Sequence, residues 1–185
     1  MGLMSDIRPP IPRAPAPKLA LPLVGGAIWS LSNAKPKAFS LLTFYRGWHC
    51  PICRDQLTEL QSRLFDFERL GVSVTAISTD DEQRASATKR DWRLDRLDIA
   101  YGLTLHQARE WGLYISTQRG KTSLGIAEPE RFNEPGLFLV KPDGTLYSAT
   151  IQSVPFARPS LHDLFKGIEF VLKADYPARG EVVSV

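Results

Sequence analysis

The segment Phe44-Tyr-Arg-Gly-Trp-His-Cys50-Pro-Ile-Cys53 constrains this chain more than any other. It follows Ala38 to Tyr45, a β-prone apolar run that reads as a buried strand. It precedes Leu57, Leu60, Leu64 and Phe67, whose spacing of three and four makes one apolar helical face. Pro51 suits the first helical position, where its missing N–H would have no partner in any case, and Gly71 is a natural stop. A strand, a short turn and a helix that begins Cys-Pro-X-Cys puts two sulfurs at the positive end of a helix dipole. Free N–H groups there lower a thiol pKa and raise the thiolate fraction at neutral pH. Thiolate is the nucleophile both in disulfide exchange and in attack on peroxides. The second cysteine, one helical turn on, can close an internal disulfide. Cys50 is the expected attacker, because a residue at the cap is normally more exposed than one inside the first turn.

Two plainer readings of the pair stay open. Both cysteines can be inert small core residues, or half of a zinc or iron–sulfur site with His49 as a third ligand. A zinc site normally takes four ligands, and neither a second Cys-X-X-Cys nor a matching spacing of His106 and His162 exists. No metal or other cofactor is therefore expected. These are the only two cysteines, too few and too close for a secreted disulfide framework, which places the chain in a reducing, cytoplasmic setting.

With 185 residues, 43% hydrophobic and 23% charged, the chain suits one soluble domain with a full core. Its net charge of +3 is made of interspersed signs. The densest basic stretch, Lys89 to Arg96, also holds Asp91 and Asp95 and reads as a solvated helix face, so no nucleic-acid partner is expected. Leu19 to Leu31, the longest apolar stretch, is short and broken by Pro22, Gly25 and Gly26, so no membrane association is expected either.

Residues 1–15, rich in proline, read as a flexible arm; residues 16–175 form the domain and residues 176–185 a tail. Val72 to Ser78 reads as a strand, with Thr79 or Asp80 capping the next helix. A short strand around Leu97 to Tyr101 and a helix from about Thr104 to Trp111 follow. Tyr114 to Glu134 is a long polar stretch without periodicity. Gly136 to Lys141 and Thr145 to Ile151 read as a hairpin about the turn Pro142-Asp143-Gly144. Ser160 starts the last helix, whose buried stripe is Leu161, Leu164, Phe165, Ile168, Val171 and Leu172. Alternating strands and helices argue for an α/β fold, a central mixed sheet with helices on both faces.

On these residues the chain resembles the peroxiredoxin-like branch (the AhpC/TSA, or redoxin, group) of the thioredoxin superfamily. The resemblance spans about residues 15–173: an opening hairpin from Ala16-Pro17 to Leu31-Ser32, the strand into Phe44-Tyr45, Val72 to Asp80, and Gly136-Leu-Phe-Leu-Val-Lys-Pro-Asp-Gly144. It implies a thioredoxin-like fold with an N-terminal hairpin extension, and an antioxidant oxidoreductase that reduces hydroperoxides or disulfides. It also implies a thioredoxin- or glutathione-type thiol reductant as partner and a homodimer as the assembly. Laid on the family's motif, Arg46 stands where the proline belongs, Cys50 where the threonine belongs, and Cys53 at the peroxidatic position. Pro135 stands where the family has an arginine. It also matches the cis-proline that faces the dithiol in thioredoxin. Arg46, His49, Trp48 and Pro135 are thus candidates for substrate binding or for tuning the thiols. A protonated His49 would lower a thiol pKa, a neutral one could relay a proton, and an exposed loop histidine would do neither. Arg46 and Arg54 are candidate thiolate partners or solvent-facing charges, and Trp48 and Tyr45 an apolar rim or, for Tyr45, strand-end packing. A fold retained as a non-catalytic interaction domain is the alternative to redox chemistry.

Overall fold

In the computed structural model, which describes residues 8–184, the chain opens with an antiparallel hairpin, β1 (Ala20–Pro22) and β2 (Ile28–Ser30). It then enters the central strand β3 (Phe39–Phe44). After the Arg46–His49 turn come α1 (Pro51–Ser62) and α2 (Leu64–Arg69), then β4 (Val72–Ile77), α3 (Glu82–Asp91), β5 (Asp98–Ala100) and α4 (Leu105–Glu110). β6 (Ile115–Thr117), β7 (Arg131–Asn133), β8 (Gly136–Val140), β9 (Leu146–Ile151) and α5 (Leu161–Ala174) complete it. Five strands form one mixed sheet in the order β5-β4-β3-β8-β9, with β3, β4 and β5 parallel and β8 and β9 antiparallel to their neighbours. This is the thioredoxin-like arrangement the sequence resemblance implies. The opening hairpin docks on the β5 edge, where Val24 N–H donates to Ile99 and Tyr101 N–H to Pro22.

All six residues of β3 are buried, because helices cover both faces of the sheet. Phe39 and Leu41 join the core beneath α1, α2 and α5 with Leu57, Leu60, Phe67, Val74 and Ile168. Leu42 and Phe44 point to a second core with Trp111, Phe138, Val140 and Leu146. The alternation of side chains along one strand thus divides the molecule into two apolar layers. Leu57, Leu60, Leu64 and Phe67 are buried as their spacing predicts, although the helix breaks at Arg63 (φ −100°, ψ 2°).

Three elements differ from the sequence reading. Asp81, not Thr79 or Asp80, caps α3, since the Asp80 carboxylate is engaged elsewhere. The polar stretch 114–134 contains the paired strands β6 and β7, three residues each and too short to show a period. Leu172 is 43% exposed, so the buried stripe of α5 is narrower than its apolar residues. Of the proline-rich start, residues 13–16 are stitched to the β8–β9 turn: Arg13 N–H donates to Leu146, Ala16 N–H to Gly144, and Leu146 N–H to Ala14. That stretch is held in place where the sequence reads as a flexible arm; residues 1–7 lie outside the described residues.

Candidate active site

β3 delivers the chain to the carboxyl edge of the sheet, where Gly47 turns it with φ 133°. Glycine is required here twice over. The conformation disfavours a side chain, and a Cβ would lie 2.6 Å from Asp80 Oδ1. That closeness comes from Asp80 itself, whose Oδ2 accepts the Trp48 N–H at 2.7 Å while Oδ1 accepts from Arg84 Nε at 2.9 Å. Asp80 at the end of β4 therefore sets the turn that carries the cysteines. Asn133 braces the same corner, with Nδ2 donating to Tyr45 O and Oδ1 accepting from Thr79 N–H.

Cys50 is the N-cap of α1, and Cys53 N–H donates to its sulfur at 3.3 Å. The sulfur therefore takes the place an aspartate or serine oxygen occupies at most helix starts. Its pKa is lowered from 9.0 to about 6. The largest cause is a hydrogen bond from the Cys53 thiol, which together with the Cys53 N–H, Arg158 and Arg46 outweighs burial. Cys53 goes the other way: burial first, then the bond to Cys50 and its charge, raise its pKa well above 9.0, against Arg158 and the Arg46 N–H. The two shifts are coupled through the bond between the sulfurs, which favours the charged form at Cys50 and disfavours it at Cys53.

Both cysteines are 0% exposed, so Cys50 is not the more open of the two, as its cap position leads one to expect. Both belong to the core beneath α1, and a strap of residues 152–160 between β9 and α5 runs beside them. Gln152 Nε2 closes it onto Ala157 O, and Ala157 turns it with φ 60°. From it Arg158 reaches inward: Nη2 donates to Cys53 Sγ at 3.0 Å, Nη1 to Gln56 Oε1, and Nε back to Pro155 O. Clefts of about 800 and 370 Å3 undercut the strap on either side, the larger lined by Arg46, Glu128, Glu134 and Phe156, the smaller by Ile52, Gln56 and Arg158. Neither cleft is lined by a cysteine, and another hollow, beside Lys35, Val72 and Arg96, lies at the opposite end of the strands.

Of the other sequence candidates, Arg46 turns inward rather than to solvent. Its N–H donates to Cys53 Sγ at 3.4 Å, and its guanidinium pairs with Glu128 (3.4 Å) and Glu134 (3.2 Å) over the Phe132 ring. His49 is buried against Phe132. Burial, with Arg46 and Arg84, lowers its pKa to about 3. Arg84 Nη2 lies 3.2 Å from its Nδ1, and a guanidinium only donates, so Nδ1 accepts and the ring's proton sits on Nε2. A cationic His49 and an exposed one are both excluded. Trp48 is half-buried, its Nε1 donating to Asp91, and Tyr45 is wholly buried against Trp92. Arg54 points to solvent beside Asp55. No peptide bond among the described residues is cis, so the cis-proline expected at 135 is not formed. This trans bond links β7 to β8, with Glu134 N–H donating to Tyr114 O and Gln152 N–H to Pro135 O. Trans is also the default preference of an X–Pro bond.

Sequence reasoning missed Arg158, Gln56, Arg84 and Glu134, all brought in by tertiary structure. The one local signal for Arg158 is its place in Pro155-Phe-Ala-Arg-Pro159, directly before the Ser160 cap.

The family described as AhpC/TSA matches residues 12–149. No curated protein matches the sequence. Among solved structures, peroxidoxin BcpB from Mycobacterium tuberculosis aligns with TM-score 0.67 at 19% identity, over 89% of this chain and 97% of that one. A reduced Plasmodium vivax 2-Cys peroxiredoxin gives 0.72 at 14%, over 90% and 84%. A peroxiredoxin-like protein from Aquifex aeolicus gives 0.68 at 14%, over 88% and 89%. These likenesses establish the shared fold.

Proposed function

The chain belongs to the AhpC/TSA family, and from that premise we propose that it is a thiol-based oxidoreductase whose Cys50/Cys53 dithiol reduces disulfides. The observation that carries this reading is the Cys50 sulfur capping α1, bonded by Cys53 N–H at 3.3 Å and held as thiolate near neutral pH. In the first step the Cys50 thiolate attacks a disulfide R–S–S–R′, forms the Cys50–S–S–R bond and releases R′S⁻. In the second, the Cys53 thiolate attacks the Cys50 sulfur, closes the internal disulfide and releases RS⁻. A thiol of the thioredoxin or glutathione type then returns both sulfurs to the reduced state. The strap over the pair must yield for a disulfide to enter, and the clefts on both sides of it provide the room.

A second substrate class, hydroperoxides, has one observation in its favour. Cys53 stands at the family's peroxidatic position and carries a guanidinium at 3.0 Å. There, a Cys53 thiolate would attack the distal oxygen, become sulfenic acid and release an alcohol. Cys50 would then condense with the sulfenic acid, releasing water.

Trapping decides the first reading. Cys53→Ser is expected to accumulate a mixed disulfide at Cys50, and Cys50→Ser to lose disulfide reductase activity. Full activity in Cys50→Ser overturns the assignment. Stopped-flow oxidation tests the second: reaction with hydrogen peroxide no faster than a free thiol of equal pKa removes it. A dithiol that forms no reversible disulfide at all would leave only a non-catalytic interaction domain.

A further inference from the structure

A disulfide that reaches Cys50 lies against the surface on one side or the other of the strap, and the two sides differ in charge. The larger cleft is lined by the exposed Arg119 and Lys121, the smaller by Asp55 and Glu59. We propose that the larger cleft is the subsite for an acidic peptide segment, in which Arg119 and Lys121 bind carboxylates that flank the disulfide to be reduced. The inference rests on the dithiol reading and adds the class of substrate.

Five charged side chains line this cleft, Arg46, Arg119, Lys121, Glu128 and Glu134. The two carboxylates are nearly buried, and each of their oxygens is engaged within the protein. Glu128 Oε1 pairs with the Arg46 guanidinium, and its Oε2 accepts the Arg119 backbone N–H at 2.6 Å. Glu134 Oε2 pairs with Arg46 Nε, and its Oε1 accepts the Ser116 hydroxyl at 2.6 Å. Arg46 is thereby neutralised. The Arg119 guanidinium and the Lys121 ammonium, by contrast, have no ion pair or hydrogen bond among the described residues. The charge that the cleft offers to a ligand is therefore positive. The backbone that bears it is set beforehand: Gln118 N–H donates to Glu130 O, and Glu128 N–H to Gly120 O.

The cleft adjoins the dithiol through two elements. Arg46 lines it and gives its N–H to Cys53 Sγ at 3.4 Å. Pro155 and Phe156 line it and belong to the strap that carries Arg158. Ile115, Val154 and Phe156 supply apolar surface, and a volume of about 800 Å3 suits a ligand the size of a short peptide. Across the strap, Asp55 and Glu59 disfavour carboxylates, so an acidic segment is favoured on one side only. One exposed ion pair shifts an equilibrium by up to about fivefold, and two by up to about twentyfold.

Three blocked peptides, joined as symmetric disulfides and alike except for two aspartates, two asparagines or two lysines beside the cystine, test this. The second-order rate of thiol release by the reduced protein is divided by the rate with dithiothreitol, which removes each peptide's own reactivity. Wild-type protein is expected to prefer the aspartate peptide to the lysine peptide by about threefold to twentyfold, with the asparagine peptide between them. Added salt should shrink that ratio. Arg119→Gln with Lys121→Gln should bring it close to one, and Arg119→Glu with Lys121→Glu should invert it. A double glutamine variant that keeps the wild-type ratio overturns the proposal, as does a wild-type protein without preference. Equal slowing with all three peptides would mark a structural role and overturn it too. Failure of the wild-type protein to reduce any of the three would instead sink the dithiol reading itself, and this proposal with it.

Discussion

At Cys50 two opposing effects meet: burial, which favours the neutral thiol, and a set of donors, which favours the anion. The donors prevail, so thiolate chemistry should begin well below the ordinary cysteine range. Alkylation by iodoacetamide, followed against pH, is expected to show a midpoint near 6 for the reduced protein. In Cys50→Ser, the remaining Cys53 should react only at higher pH than Cys50 does in the unmodified protein, because burial, the largest cause, still holds its thiol up. The linked stability has a definite sign. The folded value at Cys50 lies below the reference of 9.0, so its contribution is full above that pH and is lost as pH falls through about 6. Asp80 is the other decisive residue. Asp80→Ala removes the acceptor of Trp48 N–H and strands Arg84, at a cost of about 3 kcal/mol. Burial pushes the Asp80 carboxyl up despite Arg84, so Asp80→Asn, which keeps an acceptor oxygen and sheds the buried charge, should cost less. Urea midpoints of the two variants check the order.

The strap of residues 152–160 is the element that brings a guanidinium to the helix start. Its ends are anchored by β9 and by Ser160, whose hydroxyl accepts Asp163 N–H at the start of α5. Its middle hangs on Arg158 and the Gln152–Ala157 bond, while Phe156 stays 59% exposed. A segment with little buried apolar surface opens at low free energy. Alkylation of Cys50 by a bulky maleimide should therefore be slower than iodoacetamide predicts for the same thiolate fraction, and Arg158→Gly should narrow that gap. If both reagents react at rates set by thiolate alone, the strap does not gate the site. Ser160→Ala should lower stability by about 1 kcal/mol through loss of the cap, measurable as a shift in thermal midpoint. Among the described residues, no helix is long and apolar enough to cross a membrane.

The whole molecule consists of two apolar layers that share one sheet. Leu41 feeds the layer beneath α1 and α5, and Leu42, its neighbour, feeds the layer around Trp111. Truncating either to alanine should cost about 2–5 kcal/mol. Because β3 belongs to both layers, the two should unfold together. Fluorescence of Trp92 in one layer and Trp111 in the other, each isolated in a single-tryptophan variant, is expected to report coincident transitions. Separate midpoints would mean that the sheet does not couple them.

Much of this architecture is local information. The apolar run at Phe39–Phe44, the period-three-and-four pattern at Leu57–Phe67, the turn at Pro142-Asp143-Gly144 and the cap at Ser160 each depend on near neighbours, so they are legible in the chain order. So is the pairing of Cys50 with Cys53, since one helical turn joins them. What surrounds the pair is decided by distant residues. Asp80, Arg84 and Arg158 lie 32 to 105 positions from the residues they contact in the turn and the dithiol, and reach them only after the sheet forms. Exposure of Cys50, charge on His49 and the bond at Pro135 are likewise properties of the packed state. Sequence determined which sulfurs stand at a helix start; tertiary structure decided that they are covered, which one bears the charge, and which arginine touches them, because electrostatic and steric effects act through space and not along the chain.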